Sequence, residues 1–387
     1  MASEIYRIAI LGCRGRGTAA ARAYHAHPRC EIVGLCDLVP ELLNTLGEEL
    51  GVKARYDDLD KMIQETAPDI VAVPTGTEFH YPLCMRVVEH GVNIDVEKPI
   101  CVDLVQADNL LQKAEEKVIQ IAVHHQGRSG ASLKAVAAAL REGKIGQLRH
   151  ITASGKGYYG GYGLMNIGTH LLNNVLELAG HCERVSASCL TDGHPSTAED
   201  VVPSPSGMGT ILGEHITATL AFEGNVTGAL LQHRFPTVDS TAYGIEVFGT
   251  EGRLFWKSHA AWRMPVPHFV PDSDESVWEP LPLEIPEHYD PESPPALDDY
   301  MYADDYVRAL DEGRPHPSNG AEGRHVLEIM MGVFESAKLS KPVELPQKNR
   351  EHPLVQWRQE SGLGDPPEMP RPVAEWLAAE DERLGRS

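Results

Sequence analysis

The sequence predicts an α/β chain: a doubly wound parallel sheet, then an α+β domain with a large open, mostly antiparallel sheet. Three observations predict it. Between residue 5 and about residue 125, short apolar runs alternate with helix-forming stretches, an order that implies parallel strands joined by crossover helices. The first apolar run opens onto a glycine-rich turn. Beyond residue 126 the alternation of strand and helix gives way to segments in which polar and apolar residues alternate, as in a sheet with one covered face.

Taken in order, IYRIAIL (5–11) suits a buried parallel strand, and it runs into Gly12-Cys13-Arg14-Gly15-Arg16-Gly17 and the helix-forming TAAARAYHAH. A strand, a glycine turn and a helix start form the context in which backbone N–H groups cradle a pyrophosphate. Glycine gives the tight turn and the close backbone approach. The spacing departs from G-x-G-x-x-G, since Arg14 stands where the second glycine usually does and Gly15 follows it. A second strand, EIVGLC, ends at Asp37. A carboxylate there can accept hydrogen bonds from the ribose hydroxyls of NAD and would repel a 2′-phosphate. It can equally serve as the N-cap of the helix PELLNTLGEEL. NAD is therefore the expected cofactor, with NADP the lesser alternative that Arg14 or Arg16 would permit.

The pattern continues with Ala54-Arg55-Tyr56, the helix DDLDKMIQET, and the strand DIVAV, which ends in Pro74-Thr75-Gly76-Thr77 with His80 opening the next helix. Then come VNIDV, stopped by Glu97-Lys98-Pro99, the helix VDLVQADNLLQKAEEK and a last strand, VIQIAVHH. Ligands of open parallel sheets bind beyond the carboxyl ends of the strands. Thr75, Glu97 and Lys98 share that edge with the glycine turn. A lysine fixed there, its backbone restricted by the following proline, is placed to act on a bound molecule; the plainer reading is an exposed strand-end lysine.

After His124 to Arg128 and the helix SLKAVAAALREGKIG, the candidate strands are QLRHITASG, ERVSASCL, HITATLAF, VTGALLQH, YGIEVFG, GRLFWK and SVWEPLPL, with a hairpin turn over 222–225. Between the first two lies KGYYGGYGLMNIGTHLLNN. Asn166, His170, Asn173 and Asn174 recur there at helical spacing and form one polar stripe. Amides and histidine suit a partly buried cleft wall, although a core histidine would read the same way. Tyr158, Tyr159 and Tyr162, in the glycine-rich loop ahead of the stripe, offer rings with polar tips that suit the faces of a sugar or polyol, or simple packing on the sheet. Residues 265–295 are proline-rich and read as a long surface loop or lid.

Together GCRGRG, VPTGTEFH, HGVNIDVEKPI, NIGTHLLNN, IEVFGTEGRL and DDYVRALDEGRP, spread from residue 5 to about 346, resemble the Gfo/Idh/MocA family of nicotinamide-dependent oxidoreductases. The resemblance implies a Rossmann NAD(P)-binding domain over 1–125, a substrate and oligomerisation domain over 126–346, and a C-terminal extension over 347–387 that lies past the usual family end and serves as an oligomer arm or a surface helix. It implies that the helices near 301–310 and 325–339 pack near the first domain, and that the chain forms a homo-oligomer, a dimer or tetramer. It places the family's D-x-x-x-H catalytic pattern on the stripe, with His170 in the histidine place and Asn166 where the aspartate would stand. An amide can orient a partner but can neither stabilise an imidazolium by charge nor accept a proton near neutrality. Acid–base work then falls on Lys98 and His170, while Arg128 becomes a substrate contact or a domain-junction strut.

Composition narrows the classes. A formal charge of -22 argues against a nucleic-acid surface, which needs basic groups to neutralise phosphates. No apolar stretch is long enough for a membrane span, and no targeting signal is visible. Seven dispersed cysteines without a C-x-x-C pair fit a reducing cytoplasm, with thiols packed as small hydrophobes and no metal site. The expected activity is NAD(H)-dependent oxidation or reduction at a hydroxyl carbon of a sugar, polyol or glycoside. Two alternatives share the fold: an enzyme that keeps its NAD bound and uses it transiently, between two sugars or in a redox-neutral glycosidase, and a non-catalytic nucleotide-sensing regulator.

Overall fold

The computed structural model describes residues 5–268, 278–292 and 295–386. The chain forms two units, one of Met1–Cys101, Gln106–Ala131 and Glu284–Arg324, the other of Val102–Val105, Ser132–Leu283 and His325–Ser387.

In the first unit the apolar runs form β1 (Tyr6–Leu11), β2 (Cys30–Cys36), β3 (Arg55–Tyr56), β4 (Ile70–Val73), β5 (Asn93–Val96) and β6 (Ile121–Val123). They pair in parallel in the order β3-β2-β1-β4-β5-β6, the dinucleotide-binding order that reverses direction beside β1. Strands covered on both faces read as continuous apolar runs, and all four residues of β4 are buried. The crossover helices are α1 (Arg16–Ala26), α2 (Pro40–Glu49), α3 (Leu59–Thr66), α4 (Thr77–Glu89) and α5 (Leu104–Lys117), followed by the single turn α6 (Gln126–Ser129) and by α7 (Ala131–Arg141). Asp58 caps α3 by accepting from the Lys61 N–H at 2.8 Å, whereas α2 is capped by Val39 without a side-chain bond and opens with Pro40. Asp37 is therefore not the N-cap of α2.

The second unit carries β7 (Leu148–Ser154), α8 (Gly160–Gly163), a π-helical turn (Leu164–Gly168) and α9 (Thr169–Ala179). Then follow β8 (Cys182–Thr191), β9 (His194–Pro195), β10 (Val202–Pro203), β11 (Thr210–Ile211), β12 (His215–Phe222), β13 (Val226–His233), β14 (Gly244–Gly249), β15 (Arg253–Lys257), β16 (Ala260–Met264) and β17 (Glu279–Pro280). With β18 (Val343–Glu344), all but β10 and β11 form one sheet in the order β17-β16-β15-β14-β7-β13-β12-β8-β18, with β9 beside β8. Every pairing is antiparallel except β7 with β13. The strict alternation of buried and accessible residues along β12 marks one covered face, and the Phe222–Val226 hairpin closes as the sequence suggests. Of SVWEPLPL, Ser276 and Val277 lie outside the described residues, as do 269–277 and 293–294 of the proline-rich stretch.

The helices α10 (Leu297–Glu312), α11 (Gly320–Leu339), α12 (Pro353–Glu360) and α13 (Val373–Arg383) complete the chain. α10 belongs to the first unit, although it falls inside the 126–346 span that the sequence assigns to the second domain. The reason is a specific core contribution: its Tyr302 and Tyr306 are fully buried beside Ile8, Ile10 and Tyr24. Residues 325–339 of α11 and the whole 347–386 extension fold into the second unit.

Candidate active site

The turn after β1 needs its glycines for different reasons. Gly12 has φ +108°, in the region that disfavours other residues, and a Cβ on Gly17 would fall 1.9 Å from the Gly12 carbonyl oxygen. Close packing of α1 against the turn therefore admits only glycine at 17. Arg14 and Gly15 face solvent. Asp37 fixes the turn from β2: its Oδ2 accepts the Cys13 N–H at 2.7 Å and its Oδ1 accepts the Val39 N–H at 2.9 Å. Each carboxylate oxygen retains a second lone pair for a ligand hydroxyl.

Next to Asp37 lies a cleft of about 460 Å³, with apolar walls from Leu11, Leu38 and Phe79 and acidic groups at Asp37, Asp57 and Asp58. Leu38 is 85% exposed and Phe79 50% exposed, so two large apolar side chains stand open at its rim. The Thr75 Oγ1 is buried and has no hydrogen-bond partner among the described residues. A glycine cradle, an apolar slot for a flat base and an unfilled hydroxyl at the end of β4 fit a dinucleotide. Arg86 also lines the slot and pairs with Asp58, which leaves Asp37, at the end of β2, as the carboxylate that disfavours a 2′-phosphate.

Lys98 follows β5 on the same edge and is half-buried, with a cis bond to Pro99. Beneath it the polar groups form a continuous chain. Glu97 Oε2 accepts the Lys98 backbone N–H at 3.1 Å, and its Oε1 pairs with Arg16 Nε at 2.7 Å. Arg16 Nη2 reaches Asp299 at 2.8 Å, and Asp299 in turn holds His124 Nε2 at 3.2 Å. The other nitrogen of His124 lies 3.1 Å from Asp95, which also accepts the hydroxyls of Tyr24 and Tyr302, each at 2.9 Å. Burial alone would push His124 down, but Asp95 and Asp299 hold it up to about 10, so both ring nitrogens donate. Burial would likewise raise Asp299 and Glu97, yet His124 and Arg16 keep the first, and Arg16 above all the second, below the usual carboxylate range.

Arg16, expected at the cofactor, is thus engaged by Glu97 and Asp299. His80 is fully buried, with Nδ1 2.8 Å from the Pro99 carbonyl and Nε2 3.1 Å from that of Thr75; it props the Thr75 turn and the Lys98–Pro99 peptide together. Arg128 donates to Glu322 at 2.7 Å, a bond that lies inside the first unit. His125, which the sequence did not single out, is kept neutral by burial and by the charges of Lys98 and Arg128. A separate cluster of His27, His288 and Asp304 brings its ligand atoms within 4.8 Å of one another. Because the Arg29 N–H donates to His27 Nδ1 at 3.2 Å, the neutral ring carries its proton on Nε2, facing Asp304, and Arg308 pairs the same carboxylate at 2.8 Å. That is hydrogen-bond chemistry, and a metal would need the opposite tautomer.

In the second unit, the polar stripe does not lie on one regular helix. Asn166 sits in the π-helical turn, and His170, Asn173 and Asn174 follow on α9. Such turns recur at functional sites. Asn166 Nδ2 donates to the Tyr162 hydroxyl at 3.1 Å, and the Tyr158 and Tyr162 rings meet edge to face at 5.4 Å. Asn166 and His170 are half-buried, whereas Asn173 and Asn174 are completely enclosed. Gln232, on β13, is a residue sequence reasoning missed. Its amide lies against Gly155, Gly163 and Gly168, where any side chain would collide or crowd. The Gln232 Nε2 and both polar atoms of the Asn174 side chain have no hydrogen-bond partner among the described residues. Only the three glycines, scattered through the sequence, hinted that a side chain fills this space.

Residues 6–125 match the Gfo/Idh/MocA oxidoreductase family, described as an NAD-binding Rossmann fold. D-Apiose dehydrogenase from Paraburkholderia graminis is 24% identical over 366 residues, covering 90% of this chain and 92% of that protein. D-Glucoside 3-dehydrogenase from Escherichia coli is 27% identical over 201 residues, covering 46% of this chain and 56% of that one. Among solved structures, levoglucosan dehydrogenase in complex with NADH and levoglucosan superposes with a TM-score of 0.71 at 18% identity, over 89% of this chain and 100% of that chain. At that identity the likeness is one of fold. No helix among the described residues is long and apolar enough to cross a membrane.

Proposed function

We propose that this chain, which belongs through residues 6–125 to the Gfo/Idh/MocA oxidoreductase family, is an NAD-dependent dehydrogenase acting on a hydroxyl carbon of a sugar, polyol or glycoside. The observation that carries the reading is Lys98, held at the carboxyl end of β5 on the same sheet edge as the glycine cradle and the Asp37 cleft. The substrate class is the one named for the relatives that act on apiose, glucosides and levoglucosan.

Gly12, Gly15 and Gly17 hold the pyrophosphate of NAD, Asp37 its ribose hydroxyls, and Thr75 offers its free hydroxyl. NAD, when bound, supplies the two-electron chemistry by accepting or giving a hydride. The chain's own task is the proton. An alcohol must lose its O–H proton as the carbon is oxidised, and Lys98 and His170 are the groups assigned to take it. Glu97 and Arg16 fix the backbone from which Lys98 projects, and neutral His125 adds no competing charge beside it. Asn166 orients through its amide and takes no proton, while Tyr158 and Tyr162 form the surface offered to the sugar; Asn173, completely enclosed, is not part of that surface.

The test is nicotinamide absorbance as sugars, polyols and glycosides are added with and without NAD. A steady rise that needs both additions is expected. Lys98→Met and His170→Ala should each lower turnover about 10²- to 10⁴-fold, the range of a positioned acid–base group, with NAD binding retained. Near-wild-type turnover in Lys98→Met would sink the assignment.

A further inference from the structure

The C-terminal extension ends in a helix whose two fully buried residues point at one target. Trp376 and Glu380, one turn apart on α13, are both completely enclosed. Trp376 meets the Tyr159 ring edge-on at 4.9 Å and donates its indole N–H to the Pro203 carbonyl at 2.8 Å. Glu380 accepts the Tyr159 hydroxyl at 3.0 Å and is neutralised by Arg383 at 2.7 Å. A helix that merely covered the surface would bury aliphatic groups; a buried carboxylate needs a specific partner, and here the partner is the residue between Tyr158 and Gly160.

Two further connections run from the same segment to the same loop. The Arg371 carbonyl accepts the Ser206 N–H at 3.1 Å, and the Ser206 side chain lies close to the Tyr162 hydroxyl, which also takes the Asn166 amide. Arg386 pairs with Glu214 at 2.6 Å and Asp381 with Arg234 at 2.7 Å, while the Glu214 carbonyl accepts the Gly160 N–H at 2.8 Å. Gly160 and Gly161 lie flat on backbone, where a Cβ would come within 2.7 Å of the Gln232 and Leu212 carbonyl oxygens. The loop therefore has bare backbone under its glycines and α13 behind its central tyrosine.

We infer that the 371–386 segment is a built-in template for the 158–162 loop, and that Trp376, Glu380 and Tyr159 are positioning residues that set how Tyr158 and Tyr162 meet the sugar. This rests on the reading of those two tyrosines as substrate residues. The segment acts on substrate affinity and leaves nucleotide binding alone.

The test uses the full chain with Trp376→Ala and the milder Tyr159→Phe, which removes one hydroxyl and no packing. Amide hydrogen exchange across 157–164 should quicken in both, with exchange in β1 to β6 unchanged. KM for the sugar should rise roughly tenfold in Trp376→Ala, with kcat and the Kd for NAD close to wild type, the signature of lost ground-state positioning. Trp376→Phe, which keeps an aromatic ring, should recover most of the KM. A merely structural role would lower Tm and quicken exchange throughout the second unit, β8, β12 and β13 included, without moving KM. Unchanged exchange in the loop in both variants overturns the template. Faster exchange with unchanged KM upholds the template and instead overturns the assignment of Tyr158 and Tyr162 to the sugar.

Discussion

Beneath Lys98 the buried polar groups are ionised and matched: Asp95, His124, Asp299, Arg16 and Glu97 hand charge from one to the next. Along the polar stripe and β13 of the second unit the enclosed side chains are neutral amides, and two are incompletely satisfied: Asn174 and the Gln232 Nε2 find no partner among the described residues. The contrast follows from what each region must meet. A cofactor of fixed shape is served by a rigid, charge-compensated scaffold, because breaking any link leaves a buried charge alone. A polyhydroxylated ligand is served by neutral donors and acceptors with capacity to spare, since an unfilled amide is costly only until something bonds to it.

The largest expected break in this comparison is His124→Phe. It strands Asp95 and Asp299, and loss of one partner from a buried ion pair costs about 3–5 kcal/mol, readable as a lower denaturant midpoint. The sign with pH is fixed by the raised pKa. His124 is charged below its unfolded value near 6.5 and stays so when folded up to about 10. Its contribution is thus complete below roughly pH 6.5, and the gap between wild type and variant narrows as pH rises through about 10. A gap independent of pH would mean that the ring is there for packing alone.

Asn166→Asp probes the other side by adding a charge to the neutral region. A carboxylate near His170 favours the imidazolium, so the pH at which turnover rises should move upward by on the order of one unit. An unmoved profile would show that the π-helical turn keeps residue 166 away from the imidazole, or that His170 does not set the profile.

How far the sequence revealed this contrast differs between its halves. The parallel sheet was legible because strands buried on both faces leave unbroken apolar runs, and the glycine turn because Gly12 and Gly17 stand where no other residue fits. Asp95 was visible only as an acid inside a strand; its partners Tyr302 and Asp299 lie on α10, far along the chain, and no local pattern announces such a contact. α10 falls within the 126–346 span yet belongs to the first unit, near which the resemblance put 301–310; helical periodicity alone says that it is amphipathic but not which sheet it covers. The even spacing of Asn166, His170 and Asn173 suggested one regular helix, and periodicity cannot register the extra residue of a π-helical turn. The tail offered VAEWLAAEDERL as an amphipathic pattern, which left its target, Tyr159, unspecified.

Gln232→Met tests whether the neutral region is as tolerant as its open hydrogen-bonding capacity implies. Replacing a buried amide that has an unpaired N–H by an apolar chain of similar length should change stability by no more than about 1 kcal/mol. A loss comparable to that of His124→Phe would mean that Gln232 is as tightly partnered as the ion pairs of the first unit, and the contrast would fail. A rise in the KM for the sugar with stability unchanged would sharpen it, by showing that the spare donor serves the ligand.

The smallest effect comes from a carboxyl in the first turn of α10 that runs against its neighbour Asp299. Burial, and then the charge of Asp299 beside it, push Asp298 up to about 7, and its side chain packs over Gly130, where a Cβ would lie 2.7 Å from Oδ1. An acid whose folded pKa is raised holds its proton longer than the unfolded chain does, so stability falls as pH climbs from about 4 towards about 7. Asn cannot titrate. Asp298→Asn should therefore leave Tm unchanged near pH 4 and raise it above pH 7, by an amount that the side chain's partial exposure to solvent keeps small, measured by thermal unfolding across that range. An equal Tm at both ends would place Asp298 among the compensated charges, and the scaffold under Lys98 would then have no titrating weak point near neutrality.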